Sequence, residues 1–334
     1  MNILIAVAQD HTGRPDTLDA NRCAVVVRDA LDGRGYSCEI LFVGVHAFDR
    51  LSDLRKNILR RKPDCIVNLF EGFGDDSEKE IEFARVLEDT GIPFTGNSSY
   101  TLGLCLDKYA MKEALKRCDV PVPSGFTVKS RADLIQTYPH PPLFIKPRLE
   151  HGSVGIDRDS LVESESRLTQ VLEGKLTLFK KGLLVEEFIP GKEYSVSFLG
   201  DEPYELVGVS CLEYGKMGFP AFLTYDSKWD ALSQEYHVHM PSVSTDMEYG
   251  IFNNLVRTAK KAGAAVLCRS YFRVDIRVRD GTCYVLDVNP NPDVNEDSGF
   301  MRQAYQRHLS LYDTFVKIIG YSLAGRNACL QIKE

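Results

Sequence analysis

One stretch near the C-terminus carries acids where a buried strand would not tolerate them. In Arg273-Val-Asp275-Ile-Arg-Val-Arg-Asp280-Gly281-Thr-Cys-Tyr-Val-Leu-Asp287-Val-Asn289-Pro290, two runs rich in Val, Ile and Tyr flank Asp280-Gly281, which is the pattern of a β-hairpin. Asp275, Asp287 and Asn289 stand inside the arms rather than in the turn. Carboxylates on a packed sheet are costly unless an ion or another charge meets them. Hard oxygen donors of this kind suit Mg²⁺, which keeps several waters and bridges to phosphates. A solvated hairpin with its charges in water explains the same residues equally well.

The turn decides which of these side chains can meet. A two-residue turn at Asp280-Gly281 sets Asp275 opposite Leu286 and leaves Asp275 and Asp287 on opposite faces. A three-residue turn, Arg279-Asp280-Gly281, pairs Asp275 with Val285 and Arg273 with Asp287. Because side chains alternate with a period of two, Arg273, Asp275, Asp287 and Asn289 then share one face. Glycine in third place supplies the left-handed residue such a turn needs. The three-residue register is therefore the expected one.

Other candidates lie upstream. Lys146 ends the apolar run Leu143-Phe-Ile-Lys146-Pro147, and Gly152-Ser153-Val154-Gly155 follows shortly after. A small loop after a lysine can cradle phosphate through backbone N–H groups. It is not a Walker A loop, and a solvated lysine is the plainer reading. Glu186 and Glu187 follow another apolar run, with Glu193 beyond Pro190-Gly191. They suit either a polar ligand or an exposed edge strand. Glu71-Gly72-Phe-Gly74 closes a third apolar run, where glycine permits close backbone approach or simply a turn. Tyr225–Trp229 holds the only tryptophan and suits a mobile lid after a loop at Gly215–Pro220.

The elements that must hold these residues alternate in type. Strands are expected at Ile3–Ala8, Ser37–Val43, Cys65–Phe70 and Gly91–Phe94. Helices are expected over Leu18–Leu31, Leu51–Arg61 and from a Ser77 cap to Thr90, with Glu80 in the capping-box position. This order predicts a doubly wound parallel sheet over residues 1–105, with ligands at the strand ends. Mixed α+β units are expected over 106–181 and 182–334, so the fold class is α/β locally and α+β overall.

Composition narrows the functions. The net charge of −7 gives no support to binding nucleic acid or an acidic membrane. Nine cysteines form no C-x-x-C pair, which predicts reduced thiols in the cytoplasm rather than a disulfide framework or zinc site. No run approaches the roughly 18 apolar residues of a membrane span. The start reads as a first strand, not a signal peptide.

Taken in order, Thr95-Gly96, Asp107-Lys108, Ile145-Lys146-Pro147, Gly152–Gly155, Leu184-Val-Glu186-Glu187-Phe-Ile189, Glu193, Tyr225–Lys228 and Asp275…Asp287-x-Asn289 share their spacing with a known family. The chain resembles the ATP-grasp carboxylate–amine ligases, and within them the D-alanine–D-alanine ligases. The resemblance implies an ATP-grasp fold in which the two α+β subdomains enclose ATP. It implies a ligase that activates a carboxylate as an acyl phosphate, joins it to an amine, and releases ADP and phosphate. Lys108 and Lys146 are implied to contact ATP phosphates and the nucleotide pocket. Glu186, Glu187 and the Ile189 backbone are implied to receive adenine, and Glu193 the ribose. Gly152, Ser153 and Val154 are implied to cover the phosphates, with Ser153 among the catalytic groups. Lys228 is implied to reach the γ-phosphate and Arg273 to stabilise developing negative charge. Asp275, Asp287 and Asn289 are implied to hold two Mg²⁺ ions, with Mn²⁺ as an alternative. The implied partners are amino-acid or dipeptide-type small molecules, neither nucleic acid nor membrane, and a second copy, since the family commonly forms dimers. The competing reading is a nucleotide-binding ATP-grasp protein without ligase activity.

The departures from the family pattern gather at the substrate end. The segment Gln9–Thr17 lacks the glutamate expected after the first strand, and Glu71 replaces a histidine. Gly152 replaces a serine, Trp229 a tyrosine, and Asp287 a glutamate. Asp293, Glu296 and Asp297 make the acceptor-side loop acidic, while Ser298 is kept. Glu71, Trp229 and Ser298 are thus the expected substrate contacts. The substrate pair is expected to differ from two D-alanines, with a cationic or amine-rich acceptor favoured.

Overall fold

The computed structural model describes residues 1–331 apart from 75, 136–139, 213, 215–219, 237–240 and 244–246. Strand β1 (Asn2–Gln9) is buried along its whole interior, as a strand covered on both faces must be. It pairs in parallel with β2 (Ser37–Gly44) and β3 (Cys65–Asn68), in the order β2-β1-β3. Helix α1 (Pro15–Leu31) packs Cys23, Val27 and Leu31 against Ile3, Ile5 and Val7. The other face meets α2 (Leu51–Arg60) and α3 (Lys79–Thr90) through Leu54, Ile58, Phe83 and Leu87. The expected doubly wound unit is present, with local differences. Pro15 opens α1 earlier than expected, since its fixed φ suits a first helical turn. Ser77 does not cap α3; its hydroxyl donates instead to Glu150 at 3.3 Å. The expected strand at Gly91–Phe94 reduces to one bridge between Ile66 and Phe94.

Two short helices lead onward. Helix α4 (Ser99–Leu106) is capped by Ser98, and α5 (Lys108–Arg117) by Asp107, which accepts from the N–H groups of Tyr109 and Ala110. The central sheet contains β4 (Gly125–Val128), β5 (Leu143–Pro147), β6 (Leu161–Val162) and β7 (Leu183–Glu187), ordered β4-β7-β5-β6. Helix α6 (Glu165–Leu178) covers it with Leu168, Val171 and Leu172. Strand β7 lies between β4 and β5, so the central unit runs past the expected boundary at 181. An apolar strand such as Leu183-Leu-Val185 is buried best in the interior of a sheet, not at a linker.

The C-terminal sheet contains β8 (Glu193–Leu199), β9 (Glu205–Leu212), β10 (Pro241–Val243), β11 (Tyr271–Arg279) and β12 (Thr282–Asn289), ordered β10-β9-β8-β11-β12. Helix α7 (Tyr225–Trp229) lies between β9 and β10, beyond an expected loop whose residues 215–219 fall outside the described ones. Helix α8 (Tyr249–Ala265) packs Leu255, Ala259 and Ala262 against Phe272, Val274 and Ile276. After α9 (Gly299–Gln306), helix α10 (Leu311–Gln331) sends Leu311, Phe315, Ile318 and Ile319 into the core of the first sheet. The last helix thereby completes the first domain. No described helix is long and apolar enough to cross a membrane.

The β11–β12 hairpin corrects the expected register. Its turn has two residues, with Asp280 and Gly281 at φ 51° and 76°, and Arg279 pairs with Thr282. On that count Asp275 would face Leu286. Between Ile276↔Val285 and Asp275↔Asp287, however, the register shifts by one, and Leu286 becomes an extra residue. Because alternation has period two, one inserted residue turns everything beyond it to the other face. Asp287 comes opposite Asp275, and Arg273 comes opposite Asn289 rather than Asp287. The shared face is as expected; its cause is a bulge, not a longer turn.

Candidate active site

The hairpin face is tied together by hydrogen bonds. Arg273 forks onto Asp275, Nε to Oδ1 and Nη2 to Oδ2, both at 2.9 Å. Ser195 on β8 donates to the same carboxylate at 2.6 Å, and Asn289 Nδ2 at 2.8 Å. Asp287 accepts from Lys108, the first residue of α5, at 3.1 Å. Burial pushes the Asp275 carboxyl up, but Arg273 and the hydrogen bonds outweigh it and hold it below the ordinary value. Burial acts likewise on Asp287, where Lys108 and Lys146 prevail and lower it. Lys228 lies in the field of Asp275 and Arg273; burial first, and Arg273 second, push its pKa down.

Behind this face lies a buried ion triad. Glu186 at the end of β7 meets Lys146 at 2.9 Å and Lys112 at 3.0 Å. The side chains of Glu186 and Lys112 are each 3% exposed. Burial drives the Lys112 pKa down to about 8, because the charged form loses its water. A second set surrounds Arg277, itself 2% exposed. It donates to Glu193 at 3.0 and 2.9 Å and to the Ile189 carbonyl at 2.9 Å, and lies over the Phe188 ring at 4.8 Å. Glu187 meets Arg279 and accepts from Ser124 at 3.2 Å.

The glycine loop follows β5. Gly152, Ser153 and Gly155 all have left-handed φ. A Cβ on Gly155 would stand 2.3 Å from Phe179, so only glycine fits there. Val154 donates its N–H to His151 within the turn. Helix α7 docks on this loop rather than standing apart from it. Trp229 Nε1 donates to the Gly152 carbonyl at 2.9 Å, and the Tyr225 N–H to that of Ile156, also at 2.9 Å. Thr224 caps α7 by accepting from the Ser227 N–H at 3.1 Å.

A cleft opens at the C-terminal end of β3. Asp19, Asn68, Glu71, Trp229, Asp293 and Asn295 contribute to its lining. Glu71 and Trp229, two of the expected substrate contacts, both contribute to this lining. Ser298 is not among the lining residues; it caps α9 by accepting from the Met301 N–H at 3.1 Å. Glu296 and Asp297 are exposed, while Asp293 accepts from the Asn295 N–H at 2.8 Å.

Comparisons with known proteins show the family of the chain. The model of the D-ala D-ala ligase C-terminus matches residues 126–320. A D-alanine–D-alanine ligase from Chelativorans sp. is 32% identical over 270 residues, spanning 80% of this chain and 78% of that one. The chain belongs to the D-alanine–D-alanine ligase family. Among solved structures, the Bacillus anthracis D-alanine–D-alanine ligase complexed with ATP matches with a TM-score of 0.75 at 18% identity, covering 98% of this chain and 99% of that one. The VanG D-Ala:D-Ser ligase from Enterococcus faecalis matches with a TM-score of 0.72 at 17% identity, covering 96% and 99%. The fold is ATP-grasp, and this family member is an ATP-dependent ligase that forms an amide bond. The reading as a nucleotide sensor without ligase chemistry finds no favour among these relatives.

Three residues of this ligase were not singled out in the sequence. Lys112 stands one helical turn beyond Lys108, a spacing that puts both on one face and could have revealed it. Arg277 interrupts an apolar strand as the acids do, and that was its signal. Asp19 lies among ordinary helical polar residues and gave none.

Proposed function

We propose that this ligase transfers the γ-phosphoryl group of ATP to the carboxylate of one amino acid and joins the product to the amine of another. The supporting observation is the hairpin face itself. Asp275, Asp287 and Asn289 gather there with Arg273, Lys108 and Lys228, while Lys146 is held beside them by Glu186. The nucleotide lies between the central and C-terminal sheets.

Lys108, Lys146 and Lys228 attract the phosphoryl oxygens. A substrate carboxylate oxygen bonds to the γ-phosphorus as the bridge to the β-phosphate breaks, and ADP leaves. The amine nitrogen then attacks the acyl carbon. Arg273 faces the tetrahedral oxyanion, and phosphate departs with the acyl C–O electron pair as the amine loses a proton. Each such cationic contact is worth roughly 3–4 kcal/mol, or about 10²- to 10³-fold in rate. Trp229 and the Gly152–Gly155 loop exclude water, which would hydrolyse the acyl phosphate. Glu193 receives the ribose, and the polypeptide around Glu187 and Ile189 the adenine. The Glu186 carboxylate, committed to two lysines, acts by positioning Lys146.

Among the described residues no group of three His, Cys, Asp or Glu side chains could hold a metal ion. Two carboxylates and an amide oxygen on one face nevertheless fit a hard divalent cation that keeps waters of its own. Asp275, Asp287 and Asn289 would hold Mg²⁺, with two ions expected and Mn²⁺ as an alternative. The metal supplies charge neutralisation on the transferring phosphoryl group.

ATP-dependent phosphate release with amino acids tests the reading. Lys228→Ala and Asp275→Ala should each lower it by about 10²-fold or more while nucleotide still binds. Release at the wild-type level in both variants would overturn the assignment.

A further inference from the structure

One buried cation takes no part in the hairpin face or the ion triad. Lys175, in the last turn of α6, is 5% exposed. Its ammonium donates to the Gly155 carbonyl at 2.8 Å and to both oxygens of Asp157 at 2.9 Å. A buried ammonium is costly unless its protons meet acceptors, and here all three acceptors come from the end of the glycine loop. The Gly155–Ile156 peptide is thereby held on both sides. Its carbonyl faces Lys175, and its N–H donates to the Ser153 carbonyl at 3.0 Å. Gly155 itself is wedged, since a Cβ there would stand 2.3 Å from Phe179 and 2.6 Å from Pro147. Asp157, exposed at the surface, caps the short turn at Arg158–Ser160 and exchanges hydrogen bonds with Ser160.

The same loop is held by α7 from another side. Trp229 Nε1 donates to the Gly152 carbonyl and the Tyr225 N–H to the Ile156 carbonyl, both at 2.9 Å. Between these points the loop closes on itself, with the Val154 N–H on the His151 carbonyl at 3.1 Å. We propose that Lys175 is a positioning residue for ATP: it fixes the Gly155–Asp157 end of the glycine loop, so the shape the loop takes over the phosphates exists before nucleotide arrives. The inference rests on the reading of this loop as the phosphate cover. The three protons of Lys175 are committed to the loop, so the residue acts through the loop and not on the substrate. A loop already ordered by the fold spares binding the entropy of ordering it. That gain shows as affinity for the phosphates and leaves the chemical step nearly untouched.

Lys175→Met keeps the stem and the volume of the side chain and removes its donors. A non-hydrolysable ATP analogue and AMP, which lacks the β- and γ-phosphates, are titrated into the full chain. Binding is followed by the fluorescence of Trp229, the only tryptophan, whose indole touches the loop. In Lys175→Met the analogue should bind about tenfold more weakly and AMP within about twofold of the wild type. The KM for ATP should rise about tenfold with kcat within about threefold. Leu172→Ala loosens the same helix from the sheet side; it should lower the urea midpoint and leave both ligands bound as before. Lys175→Gln, which retains a neutral donor, should fall between wild type and Lys175→Met, and it carries the test if the methionine variant does not fold. Analogue affinity unchanged, or analogue and AMP weakened alike, overturns the inference, as does a Leu172→Ala variant that matches Lys175→Met. Wild-type phosphate release with ATP and amino acids separates this from the parent reading. Analogue affinity that depends on Lys175 without any release sinks the ligase reading and leaves the anchor standing. Release by the wild type with affinity indifferent to Lys175 does the reverse.

Discussion

Around the hairpin face, Glu186 lies between Lys112 and Lys146, Glu193 lies against Arg277, and Asp275 is gripped by Arg273. In the cleft at the end of β3, Asp19, Glu71 and Asp293 gather with no lysine or arginine among the described lining residues. The first region balances its charge from within the chain. Its partners come from β5, β7, β8, β11 and α5, so the arrangement is preorganised before any substrate arrives. The second keeps like charges near one another, and burial with the charges of Asp19 and Asp297 raises the pKa of Asp293 to about 6. The difference teaches that paired charges hold side chains in fixed places, whereas neighbouring acids shift one another's protonation instead.

The largest expected effect tests how that frame is built. Removing Val288, beyond the bulge, brings Asn289 opposite Val274 and turns it away from Asp275. Phosphate release should fall by about 10²- to 10³-fold while the circular dichroism of the folded chain persists. Undiminished release in a folded variant would show that the register does not position these groups.

Glu186→Gln comes next. It leaves Lys112 and Lys146 facing each other without a counter-charge, and stability should drop by about 3–5 kcal/mol in urea unfolding. Adding Lys112→Met should recover a large part of that loss. If the single variant unfolds like the wild type, the internal balance at this end contributes nothing.

The cleft should respond in the opposite sense. The folded pKa of Asp293 is raised from 3.8 to about 6, so its protonated form favours the fold. That contribution is complete below the unfolded value and is lost as pH rises through about 6. Asp293→Asn should therefore stabilise the protein by roughly 1–2 kcal/mol at neutral pH and above, after solvent screening, and hardly at all in acid. Urea titrations on both sides of the transition measure it; a gain independent of pH argues against open charge in the cleft.

The smallest effect falls on the seam between the two regions. Trp229→Phe removes one hydrogen bond to the Gly152 carbonyl, worth about 0.5–1.5 kcal/mol. The KM for ATP should rise about three- to tenfold with kcat nearly unchanged. A fall in kcat alone would place Trp229 in the chemistry rather than in closure.

Legibility followed how local each cause was. Acids inside a strand pattern, a lysine ending an apolar run and glycines after it are visible residue by residue, so the residues that gather around the hairpin could be named from spacing and resemblance. The bulge was not visible, because Leu286 reads as an ordinary strand residue and only pairing with β11 makes it extra. Ser298 was legible by position as a candidate contact, whereas its place as the cap of α9 was not. Asp19 joined the cleft from a helix near the N-terminus, and the loop carrying Asp293 lies far along the chain.

Periodicity and residue chemistry were enough to determine the parallel first sheet, the hairpin and the acids within its arms and in the loop after it. These depend on neighbours within a few residues, where steric alternation and side-chain type act directly. Tertiary structure alone decided that Asp275 and Asp287 face each other across a bulge, that β7 is an inner strand of the central sheet, and that α10 closes the first domain. It also decided that Glu186 sits between two lysines from different elements. Those outcomes depend on which distant surfaces bury one another, and burial is a property of the packed chain rather than of any segment in it.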